Sequence, residues 1–379
     1  MFDLTFYKNK KILVTGHTGF KGSWMCKVLD MAGADVLGYA LLPPTEPSLF
    51  NILGYDKSIK DSVSDIDSNS GGIQTVIGDI CDLDRLKEVF NTFRPEIVIH
   101  MAAQPIVRES YKDPVGTYST NVMGTVNVLE CVRLCSSVKS FVNVTTDKVY
   151  LNKEREAGYR EDEELNGFDP YSNSKSCSEL VTSSYKNSFF ADNKRSDGSV
   201  IAVTTMRAGN VIGGGDFAAD RIVPDCVRAT ERGETITIRN PYSTRPFQHV
   251  LEPVMAYLMV AAKQYDNPAL ADSYNVGPDD DGCFTTENIV KLFCDEWNGM
   301  GKNMAKYAIR TEQNAPHEAN FLKLDSSKLK NTFGWKPVWK LEEAMHNIVE
   351  WTDVYFEHAD DTLAICECME KQIKKFLNV

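Results

Sequence analysis

Short runs of apolar and β-branched residues alternate with amphipathic stretches through the first half of the chain, and this alternation constrains the fold most strongly. The runs are 11–14, 35–40, 74–77, 96–100 and 140–144, followed by a further run at 200–206. Strands that alternate with helices are typical of a parallel sheet with helices on both faces. The sequence therefore predicts an α/β fold with a doubly wound (Rossmann) parallel sheet.

A glycine-rich turn follows the first strand and opens directly into a helical pattern. The turn consists of Gly16, His17, Thr18, Gly19, Phe20, Lys21 and Gly22. Such a turn lets backbone N–H groups approach a pyrophosphate at the positive end of a helix, so it predicts a dinucleotide cofactor. His17 and Lys21 place positive charge in this turn, either for the cofactor phosphates or as solvated side chains. The second strand ends without the acidic residue that selects NAD in many such folds, which leaves both NAD and NADP open at this point.

The chain has 379 residues, more than one compact core usually supports. Beyond residue 206 the pattern is irregular, with helical patterns near 252–264 and 286–298. We predict a cofactor-binding domain over 1–206 that carries the catalytic residues. A smaller C-terminal α/β lobe over 207–379 is predicted to bind mainly the substrate, with some segments returning to the sheet.

Tyr171 and Lys175 are the main catalytic candidates. Their four-residue spacing places both side chains on one face of a helix, where the ammonium can lower the pKa of the phenol by stabilising its anion. A tyrosinate can take a proton from an alcohol during hydride transfer. The alternative is that the two residues simply form an exposed helical face.

Charge and composition exclude several classes of protein. A formal net charge of -12 argues against the general phosphate attraction that nucleic-acid binders use. No run approaches the ~20 apolar residues that span a membrane, and the first residues lack a signal-peptide pattern, so we expect a cytoplasmic protein. The ten cysteines are scattered, without the paired spacing of a zinc site, and we assign no metal.

The glycine turn, the Thr146-Asp147 pair after the fifth strand and the Tyr-x-x-x-Lys motif together resemble the extended short-chain dehydrogenase/reductase superfamily. The resemblance covers nearly the whole chain and reaches 274–277 and 334–337. It implies that further cofactor contacts come from the segments after the third and fourth strands. These residues are Asp79, Ile80, Met101, Ala102 and Ala103.

Within that superfamily, Thr146 and Asp147 resemble the corresponding pair in nucleotide-sugar 4,6-dehydratases. The resemblance implies that Thr146 positions the sugar and that Asp147 protonates the departing C6 hydroxyl. The members that act on dTDP-glucose continue with Glu, whereas this chain has Lys148. That departure, with segments 16–24, 43–50, 207–216 and 245–250, most closely resembles the members that act on CDP-glucose. The implied cofactor is NAD, and the implied reaction is transient C4 oxidation, elimination across C5 and C6, and return of the hydride to C6.

Lys148 stands where the base that removes the C5 proton is expected. A lysine can act as a base if burial or nearby positive charge lowers its pKa. The alternative is that Lys148 orients Asp147 or the sugar and that another group or water is the base. Residues implied to bind the nucleotide sugar are Gln104, Asn210, Arg221, Arg245 and His249, with Arg239 in reserve.

The resemblance also implies a homodimer, or a tetramer made of two such dimers, paired through the helices that begin near Asn121 and Tyr171. Other functions stay open. A related 4,6-dehydratase, a 4-epimerase or a decarboxylase would share the turn and the Tyr/Lys pair, although an epimerase needs no acid for C6 elimination. A non-catalytic NAD(P)-sensing regulator would keep the turn and lose the catalytic tyrosine, so the presence of Tyr171 and Lys175 argues against it.

Overall fold

The structure is a computed structural model that describes residues 3–67, 71–190, 200–279, 282–302, 304–310 and 321–378. Its strands are β1 (Lys11–Thr15), β2 (Asp35–Ala40), β3 (Gly72–Ile77), β4 (Ile97–His100), β5 (Ser140–Thr146), β6 (Ala202–Ala208), β7 (Val211–Ile212), β8 (Thr235–Ile238), β9 (Thr244–Pro246), β10 (Gln248–His249), β11 (Ser273–Val276), β12 (Cys283–Thr285) and β13 (Lys306–Ile309). Its helices are α1 (Phe20–Met31), α2 (Leu49–Ile52), α3 (Leu83–Phe93), α4 (Val107–Lys112), α5 (Pro114–Tyr118), α6 (Gly124–Leu134), α7 (Pro170–Tyr185), α8 (Ile222–Glu231), α9 (Leu251–Asp266), α10 (Thr286–Gly299), α11 (Ser327–Phe333), α12 (Leu341–Glu357) and α13 (Thr362–Leu377).

The main sheet has the strand order β3-β2-β1-β4-β5-β6-β11. Every neighbouring pair in it is parallel. The predicted doubly wound parallel sheet is therefore confirmed, and six of its strands correspond to the six predicted runs. The strand order reverses between β1 and β4, and ligands of such sheets bind at the carboxyl ends of the strands near this reversal.

The sheet is covered on both faces. Strands β2 and β5 are buried along their whole length, as is typical of a parallel sheet covered on both faces. One face packs on helices that include α1, α9 and α13, through Trp24, Val254 and Ile373. The other face packs on α3 and α6, through Phe90 and Val128.

Residues after 206 contribute to the sheet and also form a core of their own. They supply the seventh strand, β11, and the covering helices α9 and α13. The separate core joins the parallel pair β8 and β13 to helices α8, α10 and α12, through Val223, Ile236, Phe293 and Met345. Among the described residues, no helix combines the length and the apolar character that crossing a membrane demands.

Candidate active site

A cavity of about 1670 Å³ runs along the carboxyl edge of the main sheet. It begins at the glycine turn, passes the ends of β4 and β5, and reaches the segments around α8 and β9. The predicted site residues that line it are Gly16, Thr18, Gly19, Phe20, Lys21, Gly22, Asp79, Ile80, Met101, Ala102, Ala103, Thr146, Asp147, Lys148, Tyr171, Asn210, Arg221, Arg239 and Arg245. The fold thus brings most of the predicted site residues to one continuous space.

The glycine turn is shaped by close backbone contacts. Gly16 has φ 74°, and a Cβ added to it would lie 2.6 Å from the backbone nitrogen of Ala102. A Cβ on Gly22 would lie 2.4 Å from the carbonyl oxygen of Gly16. Gly19 is the N-cap residue of α1, and in the described structure no side chain caps this helix. The turn therefore leaves the N-terminal N–H groups of α1 without the side-chain acceptor that many helices have.

Lys21 is the charged residue of this turn that reaches the cavity. Burial, together with the charges of Arg221 and Lys175 and against the charge of Asp147, lowers its pKa to about 7. Lys21 therefore lies within the electrostatic reach of both the catalytic residues and the arginines farther along the cavity.

His17 does not fulfil the predicted charged role. Its ring is fully buried, its Nε2 lies 3.0 Å from Thr75 Oγ1, and burial lowers its pKa to about 3. The ring also fills the space beside Gly38, where a Cβ would lie 2.1 Å from it. The prediction that His17 adds positive charge to the turn is therefore wrong, because the ring is an uncharged core group.

His249 was predicted to bind the substrate, but its ring lies in the core and is absent from the described lining of the cavity. It packs between Trp24 and Trp339, with ring centroids 5.8 and 4.8 Å away. Burial lowers its pKa to about 3. The structure thus gives His249 a packing role, because β10 turns its ring toward α1.

Gln104 is also absent from the described lining of the cavity. Its side-chain amide donates to Thr117 Oγ1 at 2.9 Å, and its Oε1 accepts from the backbone N–H of Ile106 at 2.6 Å. The predicted substrate contact is replaced by bonds that fix the loop after β4. Asn210 does line the cavity, and its carbonyl oxygen accepts from Gln248 N at 3.0 Å.

Four polar side chains form a chain at the end of β5. Tyr171 lies next to the side chain of Thr146, whose Oγ1 donates to Asp147 Oδ1 at 2.9 Å. Lys148 Nζ donates to the same carboxylate oxygen at 3.2 Å. Asp147 is fully buried, and its Oδ2 has no hydrogen-bond partner among the described residues. The carboxylate is thus held through one oxygen while the other is available to a ligand.

Tyr171 and Lys175 both lie on α7. Asp169 is the N-cap residue of this helix, and Pro170 is its first residue. Lys175 is 4% exposed and its Nζ donates to the carbonyl oxygen of Val144 at 3.2 Å. In the described structure it lies behind the residues that line the cavity rather than among them. The pair is therefore buried against β5, not on the exposed face that was the alternative.

The pKa values of this pair differ from the sequence-based expectation. Burial lowers the pKa of Lys175 to about 8, against the opposing charge of Glu179. Burial raises the pKa of Tyr171 to about 12, a rise that the hydrogen bond from Thr146 and the charge of Arg221 only partly offset. The side chains of the folded protein thus raise the pKa of the phenol, whereas the sequence predicted a lowered one.

Three arginines line the far end of the cavity. Arg221 Nη1 lies 2.9 Å from Asp216 Oδ2, and this carboxylate raises the pKa of the guanidinium. Arg239 bridges Asp220 and Asp225 at 2.9 and 3.3 Å. Arg245 is 6% exposed and lies in β9, which pairs with β12. These guanidinium groups place positive charge along the cavity, next to the carboxylates of Asp216, Asp220 and Asp225.

Sequence reasoning missed the polar residues behind the catalytic pair. Glu179 and Arg207 form an ion pair at 2.8 Å that is 2–3% exposed. A signal was available, because Glu179 follows Lys175 at helical spacing and a charged side chain on a buried face needs a partner. Within the described parts of the chain, no cluster of His, Cys, Asp and Glu has the makings of a metal site.

Comparisons with known proteins identify the family. The family model for GDP-mannose 4,6 dehydratase matches residues 13–348, and the chain belongs to this family. A CDP-glucose 4,6-dehydratase of Salmonella typhimurium is 44% identical over 380 residues, which cover 100% of this chain and 99% of that protein.

More distant relatives share the fold. A trifunctional UDP-glucose 4,6-dehydratase, epimerase and reductase of Arabidopsis thaliana is 26% identical over 92% of this chain, which spans only 48% of that longer protein. The structure of a dTDP-glucose 4,6-dehydratase of Bacillus anthracis in complex with NAD superposes with a TM-score of 0.70 at 21% identity, covering 93% of this chain and 98% of that one.

Proposed function

We propose that this protein is an NAD-dependent CDP-glucose 4,6-dehydratase, a hydro-lyase that converts CDP-glucose to CDP-4-keto-6-deoxyglucose and water. The observation that carries the proposal is the buried Asp147, which lies next to Thr146 and Tyr171 and whose Oδ2 has no hydrogen-bond partner among the described residues. A proton donor at this place serves elimination of a hydroxyl. The 44% identity over the whole chain to a CDP-glucose 4,6-dehydratase supports the same activity.

The glycine-turn end of the cavity fits a dinucleotide. The turn leaves no room for side chains at Gly16 and Gly22, and α1 begins without a side-chain cap in the described structure. Residues 79–80 and 101–103 line the same end and would hold the adenosine half and the nicotinamide half of NAD. When bound, NAD supplies the redox chemistry of the reaction by accepting a hydride from C4 and returning it to C6.

The protein's own side chains move the protons. Tyr171 Oη takes the proton of the C4 hydroxyl, and the Thr146 hydroxyl next to Tyr171 orients that sugar oxygen. The C4 ketone then acidifies the C5 hydrogen, which a base removes. Asp147 donates a proton to the departing C6 hydroxyl, which leaves as water. Burial of the Asp147 and Tyr171 side chains keeps bulk water from competing for these protons.

Lys148 is placed for either of its two roles. Its Nζ donates to Asp147 Oδ1 at 3.2 Å, the contact that the orienting role requires. Its side chain is 27% exposed and lines the cavity, so it could reach a bound sugar as the base role requires. Conversion of Lys148 to Met separates the roles, because loss of the base stops exchange of the C5 hydrogen with solvent while C4 oxidation continues.

The far end of the cavity is proposed to bind the nucleotide diphosphate. Arg221 and Arg245 present guanidinium groups suited to bidentate phosphate contacts, and Asn210 lines the same cavity. On this assignment residues 1–206 hold NAD and the catalytic pair, and residues 207–379 bind mainly the nucleotide sugar.

We also propose that the protein acts in the cytoplasm as a homodimer, or as a tetramer of two such dimers. Exposed apolar side chains cluster on the helices that the resemblance implicates. Val115 of α5, Met123 before α6 and Leu180 of α7 are 79, 54 and 55% exposed. Burying them against a second copy would remove apolar surface from water.

Incubation of the purified protein and NAD with CDP-glucose tests the proposal. The expected product is a 4-keto sugar with the alkali-induced absorbance of that class. Parallel reactions with dTDP-glucose, UDP-glucose and GDP-mannose test the choice of nucleotide. Absence of a 4-keto product with all four substrates would reject the dehydratase assignment, and formation of CDP-galactose would instead favour a 4-epimerase.

A further inference from the structure

A buried polar cluster lies behind the catalytic pair and outside the described lining of the cavity. Its centre is the ion pair of Glu179 on α7 with Arg207 on β6, in which Arg207 Nη2 lies 2.8 Å from Glu179 Oε2. The same carboxylate accepts hydrogen bonds from Thr145 Oγ1 and from Thr205 Oγ1, the latter at 2.7 Å. Glu179 thus joins one helix to two neighbouring strands of the sheet.

Two side chains of α7 hold consecutive residues of β5. Lys175 Nζ donates to the carbonyl oxygen of Val144 at 3.2 Å, and Glu179 accepts from the hydroxyl of Thr145. The next residues of β5 are Thr146 and, just beyond its end, Asp147. The two contacts therefore set the position of the Tyr171–Lys175 face of α7 relative to the acid at the end of β5.

Arg207 extends the cluster to other parts of the carboxyl edge. Its Nη1 donates to Tyr150 Oη at 2.8 Å and to the carbonyl oxygen of Glu161 at 3.1 Å. Tyr150 Oη donates in turn to Asn275 Oδ1 of β11 at 2.7 Å. The guanidinium thus fixes the segment between β5 and α7, which delivers the catalytic helix.

Charge gives Glu179 a second effect on Lys175. The carboxylate acts to raise the pKa of Lys175, against the lowering caused by burial. The other titratable groups close to this ammonium are Lys21 of α1 and His100 of β4, and the charged pair Asp147 and Lys148 lies at the end of β5. Lys21 adds a positive charge and His100 is buried, so Glu179 is the anion that favours a charged Lys175 from within its own helix.

A buried ion pair rarely adds to stability over a well-packed apolar pair, since both charges must leave water. We propose that Glu179, locked by Arg207, is a positioning residue that holds Lys175 against β5 in its charged form and so aligns Tyr171 with Asp147. The inference rests on the proposed function for its kinetic consequence, and its effect on Lys175 can be measured without catalysis.

The test uses the full-length protein and compares Glu179→Gln with the double variant that combines Glu179→Gln and Arg207→Met. The double variant leaves no unpaired buried charge, so it keeps the test valid if the single variant folds poorly. NMR of protein with isotope-labelled lysine ε-carbons follows the titration of Lys175, whose signal is identified by its loss in Lys175→Met. Glu252→Gln is the matched control, since it removes a buried carboxylate on α9.

The expected result is a fall of about one unit in the titration midpoint of Lys175 in both Glu179 variants, and no shift in the control. With an active enzyme, kcat near neutral pH falls about tenfold and its pH profile moves with the Lys175 midpoint, while KM changes less than about twofold. An unchanged Lys175 midpoint in the folded variants would overturn the proposal and leave Glu179 as a purely structural group. A wild-type protein that titrates as expected but fails to dehydrate CDP-glucose would reject the proposed function alone.

Discussion

The two ends of the cavity are built from different elements. The proposed catalytic end takes its side chains from the end of β5 and from α7. The proposed nucleotide end takes its arginines from loops and short strand pairs. Asp147 and Tyr171 are 0 and 8% exposed and lie on either side of Thr146, which donates to Asp147. Arg221 and Arg239 have side chains 37 and 32% exposed and form ion pairs with neighbouring carboxylates. On the proposed assignment, the reaction takes place at the buried edge of the main sheet, and two of the three arginines proposed for the nucleotide are more exposed.

This difference predicts where substitutions act. A change at the catalytic end should lower kcat, because its contacts strengthen as protons move. A change at the nucleotide end should raise KM, because its contacts hold substrate and transition state alike.

Conversion of Tyr171 to Phe should have the largest effect. The variant loses the group that takes the C4 proton, so kcat should fall about 10³-fold with little change in KM. Steady-state formation of the 4-keto sugar measures it. Tyr257→Phe is the matched control, because Tyr257 is a buried tyrosine of α9 whose hydroxyl has no hydrogen-bond partner among the described residues. A Tyr171→Phe variant that keeps more than about a tenth of the wild-type kcat would contradict the assignment of Tyr171.

Conversion of Asp147 to Asn should lower dehydration about 10²-fold and leave C4 oxidation intact. In a single turnover the nicotinamide absorbance should therefore rise and persist in this variant, whereas the Tyr171 variant should show no rise. Asp169→Asn provides the control, since asparagine also caps a helix N-terminus and the Asp169 carboxylate bonds only Ser172 in the described hydrogen bonds. Equal loss of both steps on changing Asp147 would place this residue in oxidation instead of elimination.

Conversion of Arg245 to Ala should raise KM for CDP-glucose about 10- to 100-fold, the loss expected for a charge-assisted phosphate contact, and change kcat little. Arg239→Ala should raise KM less, because Asp220 and Asp225 already engage that guanidinium. Isothermal titration calorimetry with CDP should rank the two variants in the same order by their dissociation constants, which are measured without turnover. A larger effect at Arg239 would make it the principal phosphate ligand and reverse the ranking.

The catalytic end was largely predictable from the sequence. Parallel strands appear as apolar runs, and the ends of β1, β4 and β5 must meet at one edge, so the turn and the Thr146-Asp147 pair could be brought together before the structure was known. The nucleotide end was less predictable. His249 follows closely on the β9 strand that carries Arg245, yet the β10 backbone turns its ring into the core. A strand this short shows no hydrophobic periodicity, so the sequence does not indicate to which side the ring of His249 points.

The charge states of the buried side chains also could not be predicted from the sequence. The pKa of Tyr171 is raised to about 12 and that of His17 falls to about 3, in both cases mainly through burial. The sequence shows the neighbours of a side chain along a helix, but the desolvation of that side chain depends on the packing of distant segments. The Glu179–Arg207 ion pair could not be predicted for a similar reason, because it depends on the register in which α7 packs against β6.

The smallest expected effect concerns the stability of α9, one of the helices that cover the main sheet. Glu252 of α9 is buried and accepts from the backbone N–H groups of Val338 and Trp339 at 2.8 and 2.7 Å. Burial raises its pKa from 4.5 to about 7. A raised pKa means that the folded protein binds the proton more tightly than the unfolded chain, so the associated stability is full below about pH 4.5 and is lost as the pH rises through about 7.

Glu252→Gln should remove this dependence, because an amide keeps the acceptor oxygen and does not titrate. The stability of the wild type relative to the variant should therefore fall between about pH 4.5 and 7, by at most about 3 kcal/mol, in urea unfolding followed at several pH values. Glu343→Gln is the control, because the hydrogen bond from Lys375 lowers the pKa of Glu343 and its linked stability is lost only at more acidic pH. A constant difference between wild type and Glu252→Gln across this range would show that the hydrogen bonds from Val338 and Trp339 to Glu252 do not couple to protonation of this carboxyl group.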